Sequence, residues 1–217
     1  MPHTAGTTRR DVAVPGGRVD LPGTLAVPDE ALGVVVFAHG SGSSRSSPRN
    51  RLVAGLLEEA GLATLLFDLL TPAEADDRRN VFDVPLLADR LEAATSWLGS
   101  EAATRRLPVL YFGASTGAAA ALWAAAEEHR VRAVVSRGGR PDLARARLGQ
   151  VRAPTLLVVG GRDVTVLQLN DEARRLLHCP CELRVVGGAS HLFEEPGALE
   201  TVAELARAWF LAHLEET

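Results

Sequence analysis

Gly113-Ala114-Ser115-Thr116-Gly117 sets a serine between two glycines at Gly-x-Ser-x-Gly spacing. Residues 108–113 before it are apolar, and residues 116–129 after it are alanine-rich and helical in pattern. A strand that turns sharply into a helix lifts such a serine oxygen out at the helix N-terminus, where a nucleophile is needed. A plain Gly-Ser turn has no need of those flanks. A serine hydroxyl attacks a carbonyl only when a base takes its proton, and the base needs an acid to fix its tautomer. Asp163 and His191 follow in that order, at 163 − 115 = 48 and 191 − 163 = 28 residues, enough chain for helices and strands between them. Together the three would carry out acyl transfer through a covalent intermediate, with Ser115 attacking, His191 moving the proton and Asp163 orienting the ring. Taken singly, Asp163 is also a helix N-cap and His191 an ordinary surface histidine.

The negative oxygen formed by that attack needs backbone donors. Thr116 N–H is one, and the second is expected from His39-Gly40-Ser41-Gly42-Ser43-Ser44, which follows the apolar run 34–38: Ser41 N–H, with Gly42 as the alternative. His39 is read as the organiser of that loop and a candidate substrate contact. A phosphate-cradling role for the loop fails for want of a lysine and of Gly-x-Gly-x-x-Gly spacing. Arg137-Gly138-Gly139-Arg140 follows another apolar run, so Arg137 and Arg140 either present guanidinium groups to an anionic substrate or form a solvated loop with nearby acids. His129 and His178 fall at helix ends, and His3 and His213 lie near the termini. His178-Cys179-Pro180-Cys181 lacks the second ligand pair of a structural zinc site, so no metal is expected, and no cofactor either.

Composition narrows the chemistry further. All 23 basic residues are arginine, and the absence of lysine excludes Schiff-base, P-loop and Ser-Lys mechanisms. A net charge of −4 offers no field for a phosphate backbone, so the expected partner is a small ester or acyl compound rather than nucleic acid or membrane. Two cysteines are too few for a disulfide framework, and a reducing cytoplasm is the expected compartment. The longest uncharged stretch, 107–126, contains Pro108, Gly113 and Gly117 and reads as strand, turn and helix rather than a membrane span. A chain of 217 residues, 47% hydrophobic, suits one core. Residues 1–10 are expected to be a loose polar tail without the apolar stretch of a secretion signal, and 11–217 a single domain.

The elements that must position these residues alternate along the chain. Apolar runs at 34–38, 63–69, 108–113, 133–136, 155–160 and 182–186 predict parallel strands covered on both faces. Residues 11–14 and 19–27, broken at Pro15-Gly16-Gly17 and Pro22-Gly23, predict an antiparallel edge. Helical patterns occupy 48–60, 83–98, 116–129, 142–148, 167–177 and 198–213, with Ser47-Pro48 a start signal and Gly61 a stop. The irregular pieces 71–82 and 137–141 both follow strands, which puts them at the carboxyl edge of the sheet, where open α/β folds bind ligands.

With the elbow, the acid and the histidine in place, the chain resembles the α/β-hydrolases and, among them, the dienelactone hydrolase family, over nearly all of 23–209. The likeness is carried by Phe37-Ala38-His39-Gly40-Ser41-Gly42-Ser43-Ser44, Asp68-Leu69-Leu70-Thr71, the elbow, Ser136-Arg137-Gly138-Gly139-Arg140-Pro141 and His191-Leu192-Phe193-Glu194-Glu195-Pro196. It implies a three-layer α/β-hydrolase fold and a serine hydrolase; the founding members use cysteine where this chain has Ser115. Some members of the similar bacterial branch are fused to a phosphoribosyltransferase-like domain, no counterpart of which is expected here. Only residues 137–152 separate the fourth parallel run from the next, too few for the helical cap that many α/β-hydrolases insert there. The site should then be open, or roofed by loops such as 71–82. A binding protein that keeps the triad without turnover, a thioesterase and an acyltransferase would use the same residues.

Overall fold

The apolar runs stop where the sheet stops, at glycine, alanine or a charged residue entering a loop. In the computed structural model, which describes residues 6–215, eight strands form one sheet: β1 (Thr7–Pro15), β2 (Asp20–Pro28), β3 (Gly33–Ala38), β4 (Leu62–Phe67), β5 (Val109–Ala114), β6 (Val131–Arg137), β7 (Thr155–Gly160) and β8 (Cys181–Val186). Their spatial order is β1-β2-β4-β3-β5-β6-β7-β8. β1 pairs antiparallel with β2, and β2 antiparallel with β4; all the other pairs are parallel. Every residue of β3, β4, β5 and β7 is buried, as continuous apolar strands in a covered sheet should be.

Among the described residues there are seven α-helices, α1 (Pro48–Glu59), α2 (Pro72–Ala75), α3 (Arg78–Val81), α4 (Val84–Leu98), α5 (Thr116–Glu127), α6 (Val164–Leu176) and α7 (Ala198–Glu215), of which the five long ones cover the sheet. α1 and α7 bury Val53, Leu57, Val202 and Phe210 against Val35, Phe37, Leu110 and Phe112 on one face. α4, α5 and α6 bury Leu87, Leu91, Ala120 and Ala173 against Val36, Tyr111, Val134 and Leu157 on the other. The local signals explain the starts: Ser47 Oγ accepts Asn50 N–H at 3.4 Å ahead of Pro48, and Asp83 accepts Leu86 N–H at 3.1 Å. Gly61, at φ +81°, takes the left-handed turn that ends α1. The result is three layers around a mostly parallel sheet with an antiparallel N-terminal edge. Among the described residues no helix is long and apolar enough to cross a membrane.

Four expectations are corrected. The loose tail does not extend to residue 10, because Thr7 to Arg10 are paired with Pro28 to Leu25 in β1; residues 1–5 of that tail lie outside the described residues. Pro22-Gly23 does not break β2: Gly23 pairs with both Val12 and Phe67, and its bare Cα lets the three strands approach. Residues 142–148 are not one α-helix but lie in two 3₁₀ turns and their link, Pro141–Ala144 and Leu148–Gln150. Pro141 and Ala144, three apart, share the buried side of the first turn, which a 3₁₀ turn satisfies as well as an α-helix. α6 begins at Val164 rather than 167, because Asp163 caps it there despite the β-branched Val164-Thr165-Val166.

Candidate active site

Ser115 sits at φ 52°, ψ −120°, a left-handed backbone that a non-glycine residue holds only under constraint from its surroundings. The constraint comes from two glycines. A Cβ on Gly113 would lie 2.4 Å from Ala118 Cα, and one on Gly117 would lie 2.2 Å from Ala38 O and 2.4 Å from His39 O. Both contacts are with backbone, so only glycine lets α5 pack this tightly on β5 and on the end of β3. Ser115 is the N-cap of α5, yet its hydroxyl makes no capping bond. That leaves the oxygen available at the positive end of the helix.

The strand-end loops around Ser115 are joined to one another by backbone hydrogen bonds. Ser115 N–H donates to Arg137 O at 3.2 Å, Arg140 N–H to Ser115 O at 3.1 Å and Gly138 N–H to Val158 O at 2.7 Å. Gly161 N–H donates to Val186 O at 2.8 Å, and Arg162 N–H to Ala189 O at 3.0 Å. Gly160 permits the last of these approaches, since a Cβ there would lie 2.4 Å from Ser190 O.

Asp163 and His191 meet in that set of loops. Asp163 Oδ2 lies 2.6 Å from His191 Nδ1, and its other oxygen, Oδ1, accepts Val166 N–H at 3.4 Å to cap α6. One carboxylate therefore both pairs with His191 and caps α6. The Asp163 side chain is 15% exposed and that of His191 39%, so the acid is sheltered while the ring reaches the surface. Gly138, which lies between the elbow and the His191 loop, would place a Cβ 3.6 Å from the His191 ring. Ser115 Oγ makes no hydrogen bond with a described residue, and apo sites commonly tighten that contact only around substrate.

Glu195 is the residue that spacing rules miss. Its Oε2 accepts Ser190 N–H at 2.9 Å and Ser190 Oγ–H at 3.2 Å, while its Oε1 pairs with Arg162 at 2.5 Å. Hydrogen bonds from the Ser190 N–H and from its own backbone N–H hold its carboxyl below the usual carboxylate range, with the Arg162 charge a smaller contributor. It thus ties the residue before His191 to the residue before Asp163. The only sequence hint is its place within His191-Leu192-Phe193-Glu194-Glu195-Pro196.

The loop after β3 lies across the elbow. Ser41 N–H donates to Thr116 Oγ1 at 2.8 Å, so this expected oxyanion donor is already engaged, whereas Gly42 N–H makes no hydrogen bond with a described residue. His39 organises the loop as expected: Nδ1–H donates to Gly40 O at 3.0 Å, and Nε2 accepts Leu69 N–H at 3.0 Å, which fixes the tautomer. A cavity of about 230 Å³ opens beside it, lined by His39, Gly42, Leu70, Val81, Leu87 and Thr116 among others. Pro72 and Ala75 of α2 complete its wall with Val81 of α3, so the segment 71–82 does border this hollow, as two short helices rather than an irregular loop.

Burial holds His39 below its ordinary histidine value, outweighing the Gly40 carbonyl and the Asp68 charge, which act the other way. The ring is neutral in the fold, and in the unfolded chain it takes a proton as pH falls through about 6.5. The unfolded state then binds more protons, so stability must decline on acidification below that pH. Protonation at Nε2 would also expel the Leu69 N–H. Urea midpoints measured at pH 7.5 and pH 5.5 are expected to fall in the parent and to fall less in His39→Gln; equal declines would assign the effect to other groups.

The two expected substrate arginines separate. Arg140 is held in a two-pronged pair by Asp142, Nε to Oδ1 and Nη2 to Oδ2, both at 2.8 Å, so it is not free to meet an anion. Arg137 is buried, and its Nη1 is closed off from solvent without a hydrogen-bond partner among the described residues. His178-Cys179-Pro180-Cys181 links α6 to β8, with Cys179 Sγ 3.8 Å from Thr155 Oγ1 and the Cys181 thiol pushed up to about 12 by burial. Among the described residues no group of three or more His, Cys, Asp and Glu is arranged to hold a metal ion.

The family described as "Alpha/beta hydrolase domain" matches residues 31–206. A dienelactone hydrolase from Anabaena variabilis, known by its crystal structure, is 55% identical with a TM-score of 0.92, over 95% of this chain and 98% of that one. The esterase domain of a Rhodothermus marinus protein shares the fold at 19% identity and a TM-score of 0.78, over 95% of this chain and 99% of that one. Two relatives in Mycobacterium tuberculosis strains, each called a phosphoribosyl transferase, are 62% identical over 205 residues, which is 94% of this chain and 46% of theirs. The chain thus spans about half the length of the curated relatives it matches. By the family match and by the Anabaena likeness, the chain belongs to the dienelactone hydrolase family of the α/β-hydrolases.

Proposed function

We propose that the protein is a serine hydrolase of carboxylic esters or related acyl compounds, acting through an acyl-enzyme. What supports this reading is the 2.6 Å Asp163–His191 pair between two strand-end loops and, in another, a strained Ser115 whose hydroxyl caps nothing. In the reaction, His191 Nε2 takes the Ser115 proton as Oγ attacks the ester carbonyl, and returns it to the leaving alcohol. Water then attacks the acyl-enzyme by the same route. Asp163 holds Nδ1–H and stabilises the imidazolium that forms. The oxyanion takes the Thr116 N–H together with an N–H of the 41–42 turn. Gly42 N–H is uncommitted, and the Thr116 hydroxyl keeps Ser41 N–H aimed at the elbow. The apolar hollow by His39 suits a small acyl or alcohol group, being smaller than the roughly 300–1,000 Å³ of drug-sized sites.

A fluorophosphonate tests the reading directly. Peptide mapping is expected to find the adduct on Ser115, and Ser115→Ala to lose both the adduct and the turnover of short p-nitrophenyl esters. Labelling that persists in the variant, or that lands on Ser41 or Ser190, would refute it.

A further inference from the structure

β8 ends the sheet, and no described strand lies beyond it. Its bonds to β7 fix the direction of its remaining backbone groups. Thr155 N–H donates to Pro180 O and Gly161 N–H to Val186 O, both at 2.8 Å, so the even-numbered residues of the strand turn their backbone groups to β7. Backbone groups alternate sides along a strand, and those of Cys181, Leu183 and Val185 therefore point away from the sheet, where no described residue bonds to them. Three donors and three acceptors in a row form an open edge, which proteins commonly cover or blunt.

The side chains of this edge complement themselves. Val185 is 50% exposed, a large apolar group left in water, and Cys181 and Leu183 are half-buried on the same face. On the opposite face Glu182 and Arg184 are both exposed and pair with each other at 2.7 Å. Charge guards an edge by repelling an incoming strand, and a pair that neutralises itself does that poorly. Set antiparallel to a second copy with Leu183 at the two-fold axis, Glu182 lies opposite the second copy's Arg184, and Cys181 opposite its Val185. This register also suits the backbone: Cys181, Leu183 and Val185 enter hydrogen-bonded pairs, which leaves Glu182 and Arg184 in the closer, non-bonded ones. Centring on Glu182 or on Arg184 would set like charges face to face. Beside the strand, on the Glu182 face, lies an open hollow of about 520 Å³ walled by Leu205, Trp209 and Ala212 of α7. A two-fold axis through β8 brings α7 towards its own copy over that hollow.

We propose that the protein assembles as a two-fold dimer through β8, antiparallel and centred on Leu183, which joins two eight-stranded sheets into one. The antiparallel join turns the carboxyl edges of the two sheets, and with them the two Ser115 elbows, in opposite directions. β8 runs straight into residues 187–191, so the second copy braces the strand that carries His191. Nothing in this assembly depends on the hydrolase reading.

Sedimentation velocity and light scattering on the full chain, over a dilution series, test this. The parent is expected to run at twice the chain mass and to dissociate on dilution. Glu182→Arg and Arg184→Glu each set like charges opposite one another twice per dimer, and each is expected to weaken association at least tenfold. The double variant Glu182→Arg/Arg184→Glu restores opposite charges across the axis and is expected to regain the dimer. A second arm changes no charge. Leu183→Cys, in a Cys179→Ser/Cys181→Ser background, is expected to cross-link to its own copy on oxidation, since the facing Cα atoms would be about 5.5 Å apart, within disulfide reach. Glu182→Cys in the same background is expected to cross-link far less. Thermal melts check that the single charge variants fold; should they not, the two cysteine variants decide. The proposal is overturned if the parent sediments as a monomer at the highest concentration reached, or if the dimer survives both single reversals. It is equally overturned if the folded double variant stays monomeric, or if Glu182→Cys cross-links faster than Leu183→Cys.

Discussion

Asp163→Asn is expected to lower kcat by about 10⁴ while leaving the melting temperature nearly unchanged. The magnitude is that of a triad aspartate neutralised in place, where an amide offers its NH₂ to Nδ1 and turns the imidazole to the wrong tautomer. The unchanged stability follows from the second oxygen: it caps α6 through Val166 N–H, and asparagine caps a helix about as well as aspartate. Asp163→Ala is expected to lose both functions, adding a stability loss of about 1 kcal/mol to the same fall in kcat. The two variants therefore separate orientation of His191 from support of the helix. Steady-state kinetics with thermal melts on the same preparations check this; near-parental kcat in folded Asp163→Asn would move the acid to another residue.

Gly117→Ala is expected to be the most damaging single methyl in the chain, with a loss of at least about 3 kcal/mol, beyond ordinary overpacking in magnitude. The added carbon would sit 2.2 Å from one carbonyl oxygen and 2.4 Å from the next. Neither is the end of a side chain that can swing away; both belong to Ala38 and His39, where β3 gives way to its loop. For a chain of this length the loss corresponds to a fall of roughly 6–12 °C in Tm. Gly55→Ala is the control. It lies inside α1 with nothing within 4 Å of the new carbon, so the same substitution is expected to raise stability by up to about 1 kcal/mol. Equal effects from the two would mean that the elbow can shift to accommodate a side chain.

Much of this was legible in the amino-acid order because the informative features are local. A buried parallel strand is written as an uninterrupted apolar run, and Gly-x-Ser-x-Gly states its turn within five residues. β1 escaped detection from Thr7 to Arg10 because an edge strand exposed on both faces needs no apolar residue; backbone pairing with β2 holds it, and no side-chain pattern encodes that. Pro141 and Ala144 have spacing that suits a 3₁₀ turn and an α-helix alike. At the candidate site, the proposal of Ser115, Asp163 and His191 comes from chain order, whereas the Asp142 that occupies Arg140 and the Glu195 that links Ser190 to Arg162 are choices of partner. Such choices depend on where loops from different strands come to rest. The Thr116 hydroxyl on Ser41 N–H joins residues 75 apart and belongs to the same class.

The stitching of strand-end loops by backbone hydrogen bonds also marks where new sequence can enter without disturbing the elbow around Ser115. Between Arg137 and Arg140 the chain is tied to Ser115 from both directions, so an added residue there would shift Ser115. A few residues on, Arg145 and Ala146 are exposed, lie beyond the last of those ties and face no functional side chain described above. Lengthening a surface loop carries only a slowly growing entropic penalty. Residues 145–146 are therefore the natural point for grafting a lid, or a randomised segment for selection, onto an α/β-hydrolase scaffold whose elbow loops would keep their positions.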